Sequence, residues 1–216
     1  MLKTQNNTLL IVTAIIAMVG GLWLANTNQP NELTPPVIQG AIYPTAKTVH
    51  PFVLKNHQGE TFTENNFKTH WSLIFVGYTQ CPDICPTTLS LMAEVHNKMT
   101  RQNIQPPNIV FLSIDPERDT VELMKQYVEY FNPSFTGLTG NKDQIDNLSK
   151  NLNAVYRKAP GLNGKITKDD YLMDHSSALM LVNPDGNLQS ILTAPHSVKT
   201  VVESIFSSQA YYKSLY

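Results

Sequence analysis

An α/β fold behind an N-terminal membrane-spanning helix is what this sequence predicts, and three observations predict it. Thr8 to Ala25 (TLLIVTAIIAMVGGLWLA) carries no charged side chain. Two nearly continuous apolar runs, Ser72–Tyr78 and Asn108–Ile114, are each followed by helical periodicity, as in strands buried on both faces. Two further pairs of short apolar runs flank turn-forming residues and read as hairpins. The chain has 216 residues, 42% hydrophobic and 15% charged, which suits one ordinary core and excludes wholesale disorder. A formal net charge of −1 without any Lys/Arg run gives nucleic acid nothing to hold, so no nucleic-acid partner is expected.

The apolar segment comes first. At ~1.5 Å per residue it reaches roughly 27 Å, close to the hydrocarbon thickness of a bilayer. A buried core helix would show a polar face, and none is visible. The run exceeds the roughly 7–15 apolar residues of a signal peptide. Trp23 is too bulky for its place before a cleavage site after Ala25 and suits a membrane interface. Residues 1–25 are therefore expected to be a retained anchor. No Cys follows the run, which speaks against lipoprotein processing. Lys3 and the amino group lie on one side, and Lys47 is the first positive charge on the other. That asymmetry keeps the N-terminus inside and exports the rest. The leader contains no Arg, against a mitochondrial presequence. The expected location is a bacterial inner (cytoplasmic) membrane, crossed once, with the C-terminal domain in the oxidising periplasm. Residues 26–40 (NTNQPNELTPPVIQG) read as a linker able to reach roughly 50 Å. Residues 41–216 form one domain.

Within it, Phe52–Leu54 and Thr61–Thr63 flank Asn56-His57-Gln58-Gly59, a first hairpin. The buried strand Ser72–Tyr78 leads to a helix from about Pro82 to Met99. The second buried strand, Asn108–Ile114, is followed by helices over Thr120–Phe131 and Asp143–Leu152. Asp119 with Glu122 forms a capping-box-like pair ahead of the first of these, and Gly137–Gly140 reads as turn ahead of the second. Lys158–Asp170 reads as a solvated loop, with a gate over the next segment as the alternative. Ala178–Val182 and Gln189–Thr193 flank Asn183-Pro184-Asp185-Gly186, a second hairpin. Val198–Phe206 closes the chain as a helix. Strands alternating with helices in this order make an α/β layer plan.

The chemistry-bearing residues are the chain's two cysteines. Cys81 and Cys85, in Gln80-Cys81-Pro82-Asp83-Ile84-Cys85-Pro86, sit where the first buried strand meets its helix. Both Pro fit a first helical turn, and Asp83 suits its dipole and could cap it. Spacing of i, i+4 puts both sulfurs on one face at a helix N-terminus, where thiolates are favoured. A disulfide closing so short a loop would restrain little of the unfolded chain, and inert buried thiols would need no such placement. One residue more than C-x-x-C leaves room for an ion, and two thiolates are soft donors suited to Cu(I). Structural zinc would want four protein ligands, and no second Cys pair exists.

A trigonal site needs a third donor. Met92 and Met99 share a helical stripe with Leu89 and Val95 and read as core. His96 lies roughly 16 Å along the helix from Cys85. His57, in a turn, and His70, before a strand, read as solvated; His50 and His196 adjoin Pro in loops. His175, in Met173-Asp174-His175-Ser176, stands just before a buried strand, and spacing alone leaves it a surface or capping histidine.

These segments resemble the SCO/SenC family of membrane-anchored copper proteins over roughly residues 40 to 206. The likeness rests on Gly77-Tyr78-Thr79 with Cys81-Pro82-Asp83-Ile84-Cys85-Pro86, on Ser113-Ile114-Asp115-Pro116-Glu117-Arg118-Asp119-Thr120, on Gly137-Leu138-Thr139-Gly140, and on Asp174-His175-Ser176. The resemblance implies a thioredoxin-like central sheet flanked by helices, with one copper ion bound by Cys81, Cys85 and His175. It places Asp174-His175 where thioredoxins carry a cis-proline facing the cysteines. Met173 departs from the Val common in the family; packing is its expected role, with a thioether donor the alternative. Asp115 is read first as structural, with orientation of the metal loop second.

The resemblance further implies a copper metallochaperone, with Cu(I) favoured and Cu(II) the alternative state. It would deliver the ion to the copper-A site of cytochrome c oxidase subunit II. Another copper chaperone or a thioredoxin-like reductant is the expected upstream partner. The competing readings are a membrane-anchored thiol–disulfide oxidoreductase that reduces the acceptor's cysteines through Cys81 and Cys85, and a redox or copper sensor. Enzymatic activity is expected only if the first of these holds.

Overall fold

The computed structural model describes residues 2–27, 34–161, 163–168 and 170–215, in two compact units, residues 1–34 and 35–216. In the first unit, α1 (Leu2–Thr27) is one continuous helix. Its described side chains, at positions 11–24, include exposed Ile11, Ile15, Ile16, Val19, Leu22 and Trp23. Among the described residues, no helix is long and apolar enough to cross a membrane. The expected linker over residues 26–40 falls partly outside the described residues, at 28–33. Its C-terminal end is no free tether. Gln39 Nε2 donates to the carbonyls of Thr193 (3.0 Å) and Pro195 (2.6 Å).

The second unit runs, in chain order, β1 (Gly40–Thr48), β2 (Val53–Asn56), β3 (Thr61–Thr63), a 3-10 turn (Glu64–Phe67), β4 (Ser72–Gly77), α2 (Ile84–Arg101), β5 (Asn108–Ser113), α3 (Val121–Phe131), β6 (Thr136–Thr139), α4 (Lys142–Asn151), β7 (Tyr156–Pro160), β8 (Tyr171–His175), β9 (Leu179–Val182), β10 (Asn187–Leu192) and α5 (Val198–Ser214). Among the described residues, eight strands form one sheet in the order β1-β10-β9-β4-β5-β6-β2-β3, and β7 and β8 pair apart from it. β4, β5 and β6 are parallel; the other pairings are antiparallel. All six residues of β4 are buried, as a strand covered on both faces requires. α2 packs against α5 and α3, and its stripe of Leu89, Met92, Val95 and Met99 is fully buried. The two methionines are core residues, as their helical spacing implied.

Several expectations are corrected by tertiary pairing. β1 has no clean alternation, yet Gly40–Ile42 and Lys47–Thr48 pair with β10 across a bulge between Ile42 and Lys47. Gly137–Thr139 is strand rather than turn, because β5 and β2 flank it; Gly140 follows it at φ +153°, a backbone angle that suits glycine. The loop expected from Lys158 begins three residues later, since Lys158–Pro160 belongs to β7. α4 starts at Lys142 with Asn141 as its cap. α5 runs eight residues past Phe206, to Ser214, and buries Ser208 and Tyr211.

Candidate metal centre

β4 ends at Gly77, and the chain turns through Tyr78–Asp83 before α2 begins at Ile84. The helix thus starts two residues later than expected. Cys85 lies in its first turn, whereas Cys81 lies in the preceding loop. Asp83 occupies the cap position, but its side chain makes no capping bond. The Cys81 sulfur replaces it in part, accepting from the Cys85 backbone N–H at 3.4 Å. Gly77 leaves the space the second sulfur needs: a Cβ there would lie 2.6 Å from Cys85 Sγ and 2.8 Å from the Phe111 ring.

The loop is held from below by Asp119. This carboxylate is 1% exposed and accepts from the Thr79 N–H (3.1 Å), the Thr79 hydroxyl (2.6 Å) and the Ser113 hydroxyl (2.5 Å). The expected capping box of Asp119 with Glu122 is therefore absent. Thr120 caps α3 instead, its hydroxyl accepting from the Leu123 N–H at 3.3 Å. Burial raises the Asp119 pKa above the ordinary carboxylate value, against the pull of these donors.

His175 reaches the cysteines from β8, of which it is the last residue rather than part of a loop before β9. Its ring stands between Phe75 and Tyr78, at centroid distances of 5.8 and 6.2 Å. Nδ1 lies 3.0 Å from the Ser176 carbonyl. A carbonyl can only accept, so Nδ1 donates to it and Nε2 is the nitrogen turned toward the sulfurs. That Nε2 lies 3.5 Å from Cys85 Sγ. The Sγ atoms of Cys81 and Cys85 and a ring nitrogen of His175 all lie within 4.8 Å of one another. Bonds of about 2.3 Å, as thiolates make to zinc, would place trigonal donors about 4 Å apart, so small adjustments suffice to grip one ion.

The two sulfurs are unequal. Cys81 is held well below the ordinary thiol range, first by a hydrogen bond from the Cys85 thiol; His175 and the backbone N–H groups of Asp83 and Cys85 act the same way against the cost of burial. Cys85 is pushed up by the same bond and by its burial. Of the two, Cys81 is the one whose thiolate is favoured, and a metal gripping both sulfurs would displace any thiol proton left on them. Both cysteines are free.

The remaining histidines stand elsewhere. His57 is 3% exposed rather than solvated, because its Nδ1 accepts the Gly137 N–H at 3.1 Å. His96 packs on Phe135 and faces Asn132 and Ser134. His196 bonds the Ser177 carbonyl at 2.8 Å. His50 is exposed, and His70 is half-buried beside β4. Met173 is 6% exposed and packed in the core. The roles of Gly77 and Asp119 escaped sequence reasoning, since both depend on what packs across from them.

Known proteins resemble this arrangement. The SCO1/SenC family model matches residues 41–209. The human protein SCO2 homolog, mitochondrial, is 33% identical over 210 residues, 96% of this chain and 77% of the relative. An SCO2-like protein of Rickettsia felis is 34% identical over 205 residues, 94% of this chain and 98% of that one. The crystal structure of Arabidopsis thaliana ScoI with copper bound is 31% identical, with a TM-score of 0.69 over 76% of this chain and 99% of that one. Yeast Sco1 with copper bound is 32% identical, with a TM-score of 0.67 over 74% of this chain and 87% of that one. The second unit has the thioredoxin-like α/β fold of these Sco structures.

Proposed function

The chain belongs to the SCO1/SenC family, and from that premise we propose that it carries copper, held one ion at a time by Cys81, Cys85 and His175. The observation that carries this reading is the convergence of two sulfurs and an oriented imidazole nitrogen within 4.8 Å, contributed by chain segments ninety residues apart. Two solved relatives hold copper. Soft thiolates favour Cu(I), with Cu(II) as the second state. The ion is cargo, and three donors leave it open to a fourth from an acceptor.

The acceptor in this reading is the copper-A site of cytochrome c oxidase subunit II, during assembly of the oxidase. Another copper chaperone loads the site, or a thioredoxin-like reductant keeps it reduced. The uncharged run Thr8–Ala25 supports α1 as a single-pass anchor in a bacterial inner membrane, with the second unit in the periplasm. A tethered donor searches a membrane-bound acceptor at raised effective concentration.

The unequal sulfurs favour a second reading, in which Cys81 attacks an acceptor disulfide and Cys85 resolves the mixed disulfide. His175→Ala separates the two in an anaerobic Cu(I) competition titration of the reduced full chain. The carrier loses at least about tenfold in affinity, the least that even outer partners of a ligand cost, while its dithiol stays titratable. Unchanged affinity would overturn the three-donor assignment.

A further inference from the structure

Among the described residues, His175 is carried by a strand that shares no ladder with the sheet leading to the cysteines: β8 pairs with β7 alone. Apart from the three-residue link from His175 to β9, the spacing of imidazole from sulfur is therefore set by side chains. The Ser176 N–H donates to the Val155 carbonyl at 3.0 Å, and Arg157 pairs with Asp174. Alternation along an antiparallel pair then turns the backbone groups of Tyr171 and Met173 away from β7. Both find side-chain partners. Met173 bonds the Tyr78 hydroxyl through its backbone, and the Tyr171 carbonyl accepts from Arg118 Nη1 at 3.1 Å.

Arg118 does more than fill that bond. The same Nη1 donates to Gln80 Oε1 at 3.1 Å, next to Cys81. Its Nε donates to Asp115, whose other oxygen accepts the Tyr171 hydroxyl at 2.7 Å. The guanidinium lies 3.6 Å from the centre of the Tyr171 ring and 5.6 Å from that of Tyr78. One planar group thus joins the cysteine loop, the end of β5 and the root of the histidine strand. Its Nη2 is buried without a partner among the described residues. A buried donor left unmade costs stability, so ion pairing with Asp115 alone does not account for arginine here.

We propose that Arg118 is a positioning residue of the copper site, fixing the approach of His175 to the two sulfurs by clamping Tyr171 of β8 to Gln80 of the cysteine loop. The proposal rests on the ligand set given above, and its test distinguishes the two. Full-length Arg118→Gln, Arg118→Lys, His175→Ala and the Gln/Ala double variant are compared with the parent, first metal-free by amide hydrogen exchange and then by Cu(I) competition. In Arg118→Gln, β7 and β8 are expected to exchange about tenfold faster while β4 and β5 keep their protection, and Cu(I) affinity to fall about tenfold. Adding Gln at 118 to His175→Ala is expected to cost nothing further. Lysine preserves the charge facing Asp115 but cannot span all three segments, so Arg118→Lys is expected to behave like Arg118→Gln, and it supplies the readout if the Gln variant does not fold. Unchanged exchange, full rescue by lysine, or losses that add independently would each overturn the clamp. If His175→Ala leaves affinity intact, the ligand set fails, and hydrogen exchange alone decides Arg118.

Discussion

His57 and His175 show how surroundings divide one side chain between two uses. In both rings one nitrogen is committed to the backbone, but in opposite senses. His57 Nδ1 accepts from Gly137, so its proton sits on Nε2, which faces a Glu129 carboxylate oxygen at 4.0 Å; His175 Nδ1 donates to Ser176 and leaves Nε2 to face the sulfurs. Burial lowers the His57 pKa from 6.5, opposed by Glu129. The unfolded chain therefore takes this proton before the folded one does. The His57 contribution to stability is complete above about pH 6.5, falls as pH drops toward the lowered native value, and levels off below it. Urea unfolding at pH 7.5 and pH 5 is expected to show a larger loss in the parent than in His57→Gln, and equal losses would contradict a neutral buried ring.

At the scale of elements, the junction between β5 and α3 separates two acceptors that are adjacent in sequence. Thr120→Ala removes a helix cap and is expected to cost about 1 kcal/mol while leaving copper affinity unchanged. Asp119→Ala strands the Thr79 and Ser113 donors at about 1–3 kcal/mol for each unmade bond, and loosens the cysteine loop. Urea midpoints and Cu(I) competition check both; a Thr120 variant that loses copper, or an Asp119 variant that keeps it, would reverse the roles. The same junction marks where sequence reasoning stops. β4, β5, α2 and the second hairpin were legible because burial on both faces and helical spacing write themselves into consecutive residues. β1, β6 and β7 were not, since each is a strand only by virtue of its neighbour. Cys81 and Cys85 were legible from their own spacing. His175 was singled out only by family resemblance, because it is brought to them from ninety residues away, and Asp119 passed for a cap because its partners lie across the fold.

Across the whole molecule, the central claim is a division of labour. The junction between β4 and α2 presents two sulfurs, and a separately paired hairpin brings one nitrogen to them. Such a site completes itself when the hairpin is seated and stays one donor short of a closed cage. Copper K-edge X-ray absorption of the reduced full chain loaded with one equivalent of Cu(I) tests this most directly. The account requires three-coordinate copper with two sulfur scatterers and one imidazole nitrogen, reduced to sulfur coordination alone in His175→Ala. A parent spectrum of two sulfurs without nitrogen, or of three sulfurs with Met173 as the third, would contradict it.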